Sequence, residues 1–207
     1  MSEPGSFNPW ISIWTSPRST IARIVQENPN RGLWWLCAIY GFSGLLNFFQ
    51  SMMLGDRLGI GAIFLLALVF SVLWGYVSFS IWSFVVWITG KMLKGRAEYK
   101  VVRSAFAWSC VPFVINVILW VILAFMFGQL LFMNTTGGYA FTQGQVAFLF
   151  FMIIARIAVG IWSLVIYINA LAEVQQYSIL RAIGNVVLAA ILLGVVFWLI
   201  SFLLAGA

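Results

Sequence analysis

Residues 149–163 read LFFMIIARIAVGIWS, and the one charged side chain in that run is Arg156. A guanidinium there is chemically specific: it pairs with carboxylate or phosphate through two parallel hydrogen bonds. It is also costly, at about 2.5–3.5 kcal/mol at the centre of a membrane helix. The other groups that could do chemistry are few. The acids are Glu3, Glu27, Asp56, Glu98 and Glu173, and no two are spaced for a metal site or an acid–base pair. Histidine is absent, which removes the commonest metal ligand and general base. No glycine-rich phosphate loop, Ser–His arrangement or HExxH motif occurs. This inventory predicts neither an enzyme nor a bound cofactor or metal. Cys37 and Cys110 fall inside apolar segments and read as small buried hydrophobes, not as a disulfide.

The elements that carry these residues follow from composition. Apolar types make up 63% of the 207 residues and charged types 8%, against about 45–50% and about 25% in a soluble domain. So few charges cannot cover a soluble surface, and the long apolar runs point to an all-α, polytopic helical bundle in a membrane. Five spans are expected: Leu33–Leu54, Gly59–Gly90, Trp108–Met133, Val146–Ala172 and Ile179–Ala205. Residues 1–31 precede them as a cytoplasmic amino-terminal segment, and 32–207 form the membrane domain. No cleavable signal peptide is visible in MSEPGSFNPW.

The net charge is +6, and apart from Arg156 the charges lie between the apolar runs or at their ends. This therefore reads as the positive-inside pattern of a membrane protein and not as a nucleic-acid surface. Arg18, Arg23 and Arg31 precede the first span. The loop KMLKGRAEYKVVR, between the second and third spans, carries Lys91, Lys94, Arg96, Lys100 and Arg103, and Arg181 stands at the start of the fifth span. On the opposite side Arg57 stands beside Asp56, and NTTGGYAFTQGQ has no charge. This pattern places the amino terminus in the cytoplasm and the carboxyl terminus outside. Asn134-Thr135-Thr136 fits a glycosylation triplet, which matters only in a eukaryotic host.

In WTSPRSTIARIVQENP, Ser16 suits a helix cap, Pro17 a first helical position and Pro29 a stop. Ile21, Ile24 and Val25 share a stripe, and Trp10, Ile11, Ile13 and Trp14 lie upstream. A short amphipathic helix is expected, lying on the inner membrane surface or packed beneath the bundle. Within the spans, helical periodicity groups Tyr40, Gly44, Asn47 and Ser51; Ser71, Gly75 and Ser78; Ser109, Pro112, Asn116 and Trp120; and Asn185 with Ala189. Such stripes serve helix packing or line a polar groove for a substrate or headgroup. Arg156 shares its face with Gly160, Ser163, Tyr167 and Ala170, so it should face the bundle. It lies 17 residues before Glu173, roughly 25 Å at 1.5 Å per residue, which puts it toward the outer boundary. Asp56, the acid on that side, is its expected partner. Arg156, Asp56, Asn47 and Asn116 are thus the candidate polar site. Lys91, Lys94, Arg96, Lys100 and Arg103 are the candidate face for anionic lipid or a partner.

Three stretches resemble a known family. WTSPRSTIARIVQENP is similar to a Pro-Arg element leading into a short helix. AFAWSCVPFVI, through Trp108, Ser109 and Pro112, resembles an aromatic–small–Pro entry to a third span. IWSLVIYINALAEVQQYSILRAI, through Trp162, Leu171, Ala172, Val174, Ser178 and Ala182, resembles a turn between the last two spans. Together they resemble the Yip-one domain family, five-span membrane proteins named for interaction with Ypt/Rab GTPases, and in particular its prokaryotic members. The resemblance implies a non-enzymatic bundle with a cytoplasmic amino terminus. It further implies membrane-organising, trafficking-like or partner-binding work, with the bilayer, anionic lipids, other membrane proteins or a second copy as partners. A transporter, channel or lipid scramblase built on the polar stripes is the alternative. Arg156 matches no motif of the family.

Overall fold

The computed structural model describes residues 7–134 and 141–205. Glu3, and Thr135 and Thr136 of the glycosylation triplet, lie outside them. The described residues are helical, with no strand among them.

The chain opens with a single turn, α1 (Pro9–Ser12), capped by Asn8 Oδ1, which accepts from the Trp10 N–H at 3.1 Å. Helix α2 (Pro17–Glu27) has Pro17 in its first turn and ends at Asn28 in extended conformation, before Pro29. Ser16 occupies the capping position, but its side chain makes no capping bond. The apolar stripe of α2 is covered by protein: Ile21 and Ile24 are fully buried, and α2 packs on α5 (Tyr99–Ser109). Trp10 meets Trp108 edge-on at 5.5 Å. The choice between a helix on the lipid surface and one packed on the bundle thus falls to packing.

Helix α4 (Ile60–Met92), α6 (Phe113–Phe127, continued as a 3-10 turn to Phe132), α7 (Gln143–Gln175) and α8 (Ile179–Ala205) follow. Among the described residues four helices are long and apolar enough to cross a membrane: Ile60–Met92, Phe113–Phe132, Gln143–Gln175 and Ile179–Leu204. The expected count of five is corrected at α3 (Leu33–Ser51), which is 19 residues long but whose apolar content is diluted by Trp34, Trp35, Tyr40, Asn47 and Gln50. The third span also begins later than expected. Trp108 belongs to α5, and Pro112, which lacks an N–H, stands at the break before Phe113. The basic stretch expected as a loop is mostly helical: Lys91 closes α4, and Lys100 and Arg103 lie on α5. At 33 residues each, α4 and α7 are about 50 Å long, well beyond the about 30 Å of hydrocarbon.

Two compact units divide the chain: Met1–Arg31, Phe79–Ser109 and Val165–Ala207 form one, and Gly32–Ser78 and Cys110–Leu164 the other. The described part of the amino-terminal segment clusters with the ends of α4 and α7 and with α8. In the first unit Val86, Val102, Leu171, Ala182 and Ala189 make the core. In the second, Leu46, Ile63, Trp120 and Phe132 do, with Phe127 and Met152 in a neighbouring cluster. Cys37 and Cys110 are buried, as their apolar surroundings predict.

Candidate functional site

Arg156 is half-buried, and its guanidinium carbon lies 4.3 Å from the centre of the Trp120 ring. A cation over an indole face is attracted by the ring's negative quadrupole. Trp120 is fully buried and stacks on Phe132 at 5.6 Å and 14°. Helical direction behaves as expected: Ser163, Tyr167 and Ala170 are buried, although Gly160 is exposed. The expected ion pair with Asp56 is not formed. The Asp56 carboxylate accepts from the Asn134 N–H at 3.1 Å, and among the described residues neither Asp56 nor Arg156 enters an ion pair. Asp56 sits exposed in the 3-10 turn Leu54–Asp56, where solvent and the Asn134 amide satisfy it, while the arginine finds a ring face within its own apolar surroundings.

Asn47 also falls outside the cluster. It is exposed, and its Nδ2 donates to the Ser43 carbonyl one turn back on α3, at 2.8 Å. Asn116 belongs to it by register: it precedes Trp120 by one turn on α6, and Ser109, Pro112, Asn116 and Trp120 are all buried. Three buried polar atoms here have no hydrogen-bond partner: Arg156 Nη2, Trp120 Nε1 and Asn116 Oδ1. Such atoms carry a desolvation cost of about 1–3 kcal/mol each unless something satisfies them.

Every basic residue except Arg57 and Arg156 belongs to the first unit. The Glu27 carboxylate accepts from Arg23 Nε at 2.9 Å and from Arg31 Nη1 at 2.6 Å, and the Arg23 bond foremost holds its carboxyl below the ordinary value. Arg103 Nη2 donates to Asn30 Oδ1 at 2.9 Å, Trp108 Nε1 to the Arg31 carbonyl at 3.1 Å, and Arg18 Nε to Asn169 Oδ1 at 3.3 Å. These bonds fasten the amino-terminal segment to α5 and to the end of α7. Lys100 pairs with Glu98 at 3.1 Å, and Lys91 Nζ donates to the Gly95 carbonyl at 3.4 Å. Of the candidate face, Lys91, Lys94, Arg96 and Lys100 are exposed and Arg103 is half-buried.

A second polar assembly was not foreseen in the sequence. Helices α4 and α7 both end in a left-handed residue that is not glycine, Lys94 at φ 64° and Gln176 at φ 59°. Behind them the Gly95 N–H donates to the Gly90 carbonyl at 2.8 Å, and the Tyr177 N–H to the Ala172 carbonyl at 2.9 Å. Both are the long bond of a Schellman helix end. The two ends are joined: the Tyr177 hydroxyl donates to the Gly90 carbonyl, and Gln175 Oε1 accepts from the Ala97 N–H at 3.2 Å. Beside them the Thr89 hydroxyl donates to Asn185 Oδ1 at 2.6 Å. A Cβ on Gly90 or Gly95 would run into the Gln175 amide, so these glycines permit the approach. Burial pushes the Tyr177 phenol above its ordinary value, against the opposing pull of the Arg181 charge and the Gly95 backbone. The sequence signalled this assembly only through Asn185 and Ala189, both now fully buried.

A chain whose described residues are helical, with four apolar helices of spanning length, a half-buried guanidinium and basic residues gathered at helix ends, is an integral membrane protein. The chain belongs to the Yip1 domain family, whose profile matches residues 11–201. No curated protein and no solved structure matches it. Proteins of this family are generally non-enzymatic membrane proteins.

Proposed function

We propose that this protein is a non-enzymatic, membrane-organising or partner-binding component of a bacterial inner membrane, working from a basic cytoplasmic face. The observation that carries this reading is the gathering of the amino-terminal arginines, Lys91, Lys94, Arg96, Lys100 and Arg103 on one unit, fastened by α5. Basic residues near an anionic leaflet contribute about 1 kcal/mol each, and the positive-inside rule places them in the cytoplasm. An external carboxyl terminus requires that α3 cross as well, alongside α4.

Vesicle association of the reconstituted protein tests the face. The triple charge reversal Lys91→Glu, Lys94→Glu, Arg96→Glu is expected to weaken attraction to anionic vesicles at least tenfold at low salt. Unchanged association with both lipid and protein partners sinks the reading. The second reading, a lipid scramblase or transporter, is favoured by one observation: the unpartnered Arg156 Nη2, Trp120 Nε1 and Asn116 Oδ1. Liposomes carrying the protein and showing neither headgroup exchange between leaflets nor solute flux remove it.

A further inference from the structure

We infer that α8 and the end of α4 form a site for one anionic phospholipid of the cytoplasmic leaflet. A groove of about 560 Å³ runs between Leu93 and the face of α8 that carries Arg181, Gly184, Val187, Leu188 and Ile191. Its long wall is apolar, and its cation stands at one end. From Arg181 to Ile191 the helix rises about 15 Å, half the about 30 Å hydrocarbon thickness. That is the depth of one leaflet, so an acyl chain lying along the wall reaches the midplane while its phosphate stays level with Arg181.

The mouth suits that phosphate. Arg181 is exposed, enters no ion pair among the described residues, and lies in the first turn of α8. The helix amino terminus adds its partial positive charge, and the Ser178 hydroxyl, which accepts from the Arg181 N–H at 3.3 Å, lines the same mouth. Lys94 follows Leu93 directly and is exposed. No acid lines the groove. The wall is open at Gly184, where an added Cβ meets no atom within 4 Å. Little else covers this helix, since only 6% of the most apolar window of α8 is buried. Charge, depth and apolar wall together select an anionic phospholipid over a neutral one.

The site rests on the basic end of this unit lying at the cytoplasmic headgroups, as proposed above, and its test separates the two. The full chain is reconstituted in phosphatidylcholine vesicles containing phosphatidylglycerol, extracted in mild detergent, and its retained lipids are counted by native mass spectrometry. One phosphatidylglycerol per chain is expected, in clear preference to phosphatidylcholine. Arg181→Gln should lower that preference about fivefold, which corresponds to about 1 kcal/mol for one basic residue, and Arg181→Lys should keep most of it. Gly184→Leu leaves the charge in place and fills the wall, and it should lower retention while helicity and melting temperature stay unchanged. Equal retention of the two lipids shows ordinary boundary lipid and overturns the site. So does undiminished retention in Arg181→Gln or Gly184→Leu. Charge reversal at Lys91 and Arg96 alone, which leaves Lys94 beside the mouth, should weaken vesicle attraction yet leave phosphatidylglycerol preferred in the groove. If it abolishes both and Arg181→Gln affects neither, the site fails and the basic-face reading stands.

Discussion

Arg156 is where residue chemistry and burial meet. A half-buried guanidinium without a carboxylate is held here by an aromatic face, the interaction a planar, weakly hydrated cation makes best. A double-mutant cycle measures it. Trp120→Leu and Arg156→Leu should show a coupling of about 1–2 kcal/mol in detergent unfolding, while Arg57→Leu, at an exposed turn, should change stability by less than about 0.5 kcal/mol. Strict additivity at Trp120 and Arg156 would mean that the stack carries no energy. Tyr177 gives a second test at this scale. Its phenol holds its proton above the ordinary value of 10.0, so the folded protein binds more protons than the unfolded chain above that pH. The associated stability is fully present below about pH 10 and falls as pH rises beyond it. Tyr177→Phe should remove this alkaline slope and cost about 1 kcal/mol at neutral pH through the lost bond to the Gly90 carbonyl. An identical alkaline slope in the Phe variant refutes the assignment.

At the scale of elements, α3 and α4 approach each other closely. A Cβ on Gly41 would overlap the Ser71 carbonyl, and one on Gly75 the Cys37 carbonyl, so both helices need glycine where their backbones meet. Gly41→Ala or Gly75→Ala should force the helices apart and cost about 1–3 kcal/mol. Gly160→Ala meets no atom within 4 Å and should be neutral or slightly stabilising; melting curves of the three variants decide. Element types followed from periodicity, and α8 matches its expected bounds of Ile179–Ala205. Ser71 and Gly75 are buried and Ser78 of the same stripe is half-buried, while the stripe from Ser109 to Trp120 is buried as its spacing predicts. Where the reading failed, the reason was local. Asn47 and Ser51 share a face with Tyr40, but α3 turns Leu36, Cys37 and Leu46 inward instead. A stripe of mixed small and polar residues does not say which neighbour arrives. Likewise KMLKGRAEYKVVR reads as a charged loop, yet Val102, Ala105 and Trp108 give α5 a buried face.

For the whole molecule, the distribution of charge carries the prediction. A reporter inserted between Leu93 and Ala97 should be active only in the cytoplasm, and so should one at the amino terminus, because the positive-inside rule acts on both. Activity of either on the outer side overturns the proposed orientation. A reporter at the carboxyl terminus reads α3: external if it crosses with the four apolar helices, cytoplasmic if it does not.

Composition and order alone determined the class, the helical periodicity, the family resemblance and the basic segments, because each is a property of neighbours along the chain. A span is recognised within some twenty residues, and a basic cluster by counting. The partner of Arg156, the pairing of the two helix ends through Gln175 and Tyr177, and the docking of α2 on α5 were decided by tertiary structure. Each joins residues from different helices, and a guanidinium selects its neighbour from whatever packing delivers. Asp56 was the natural partner by charge, and packing delivered Trp120.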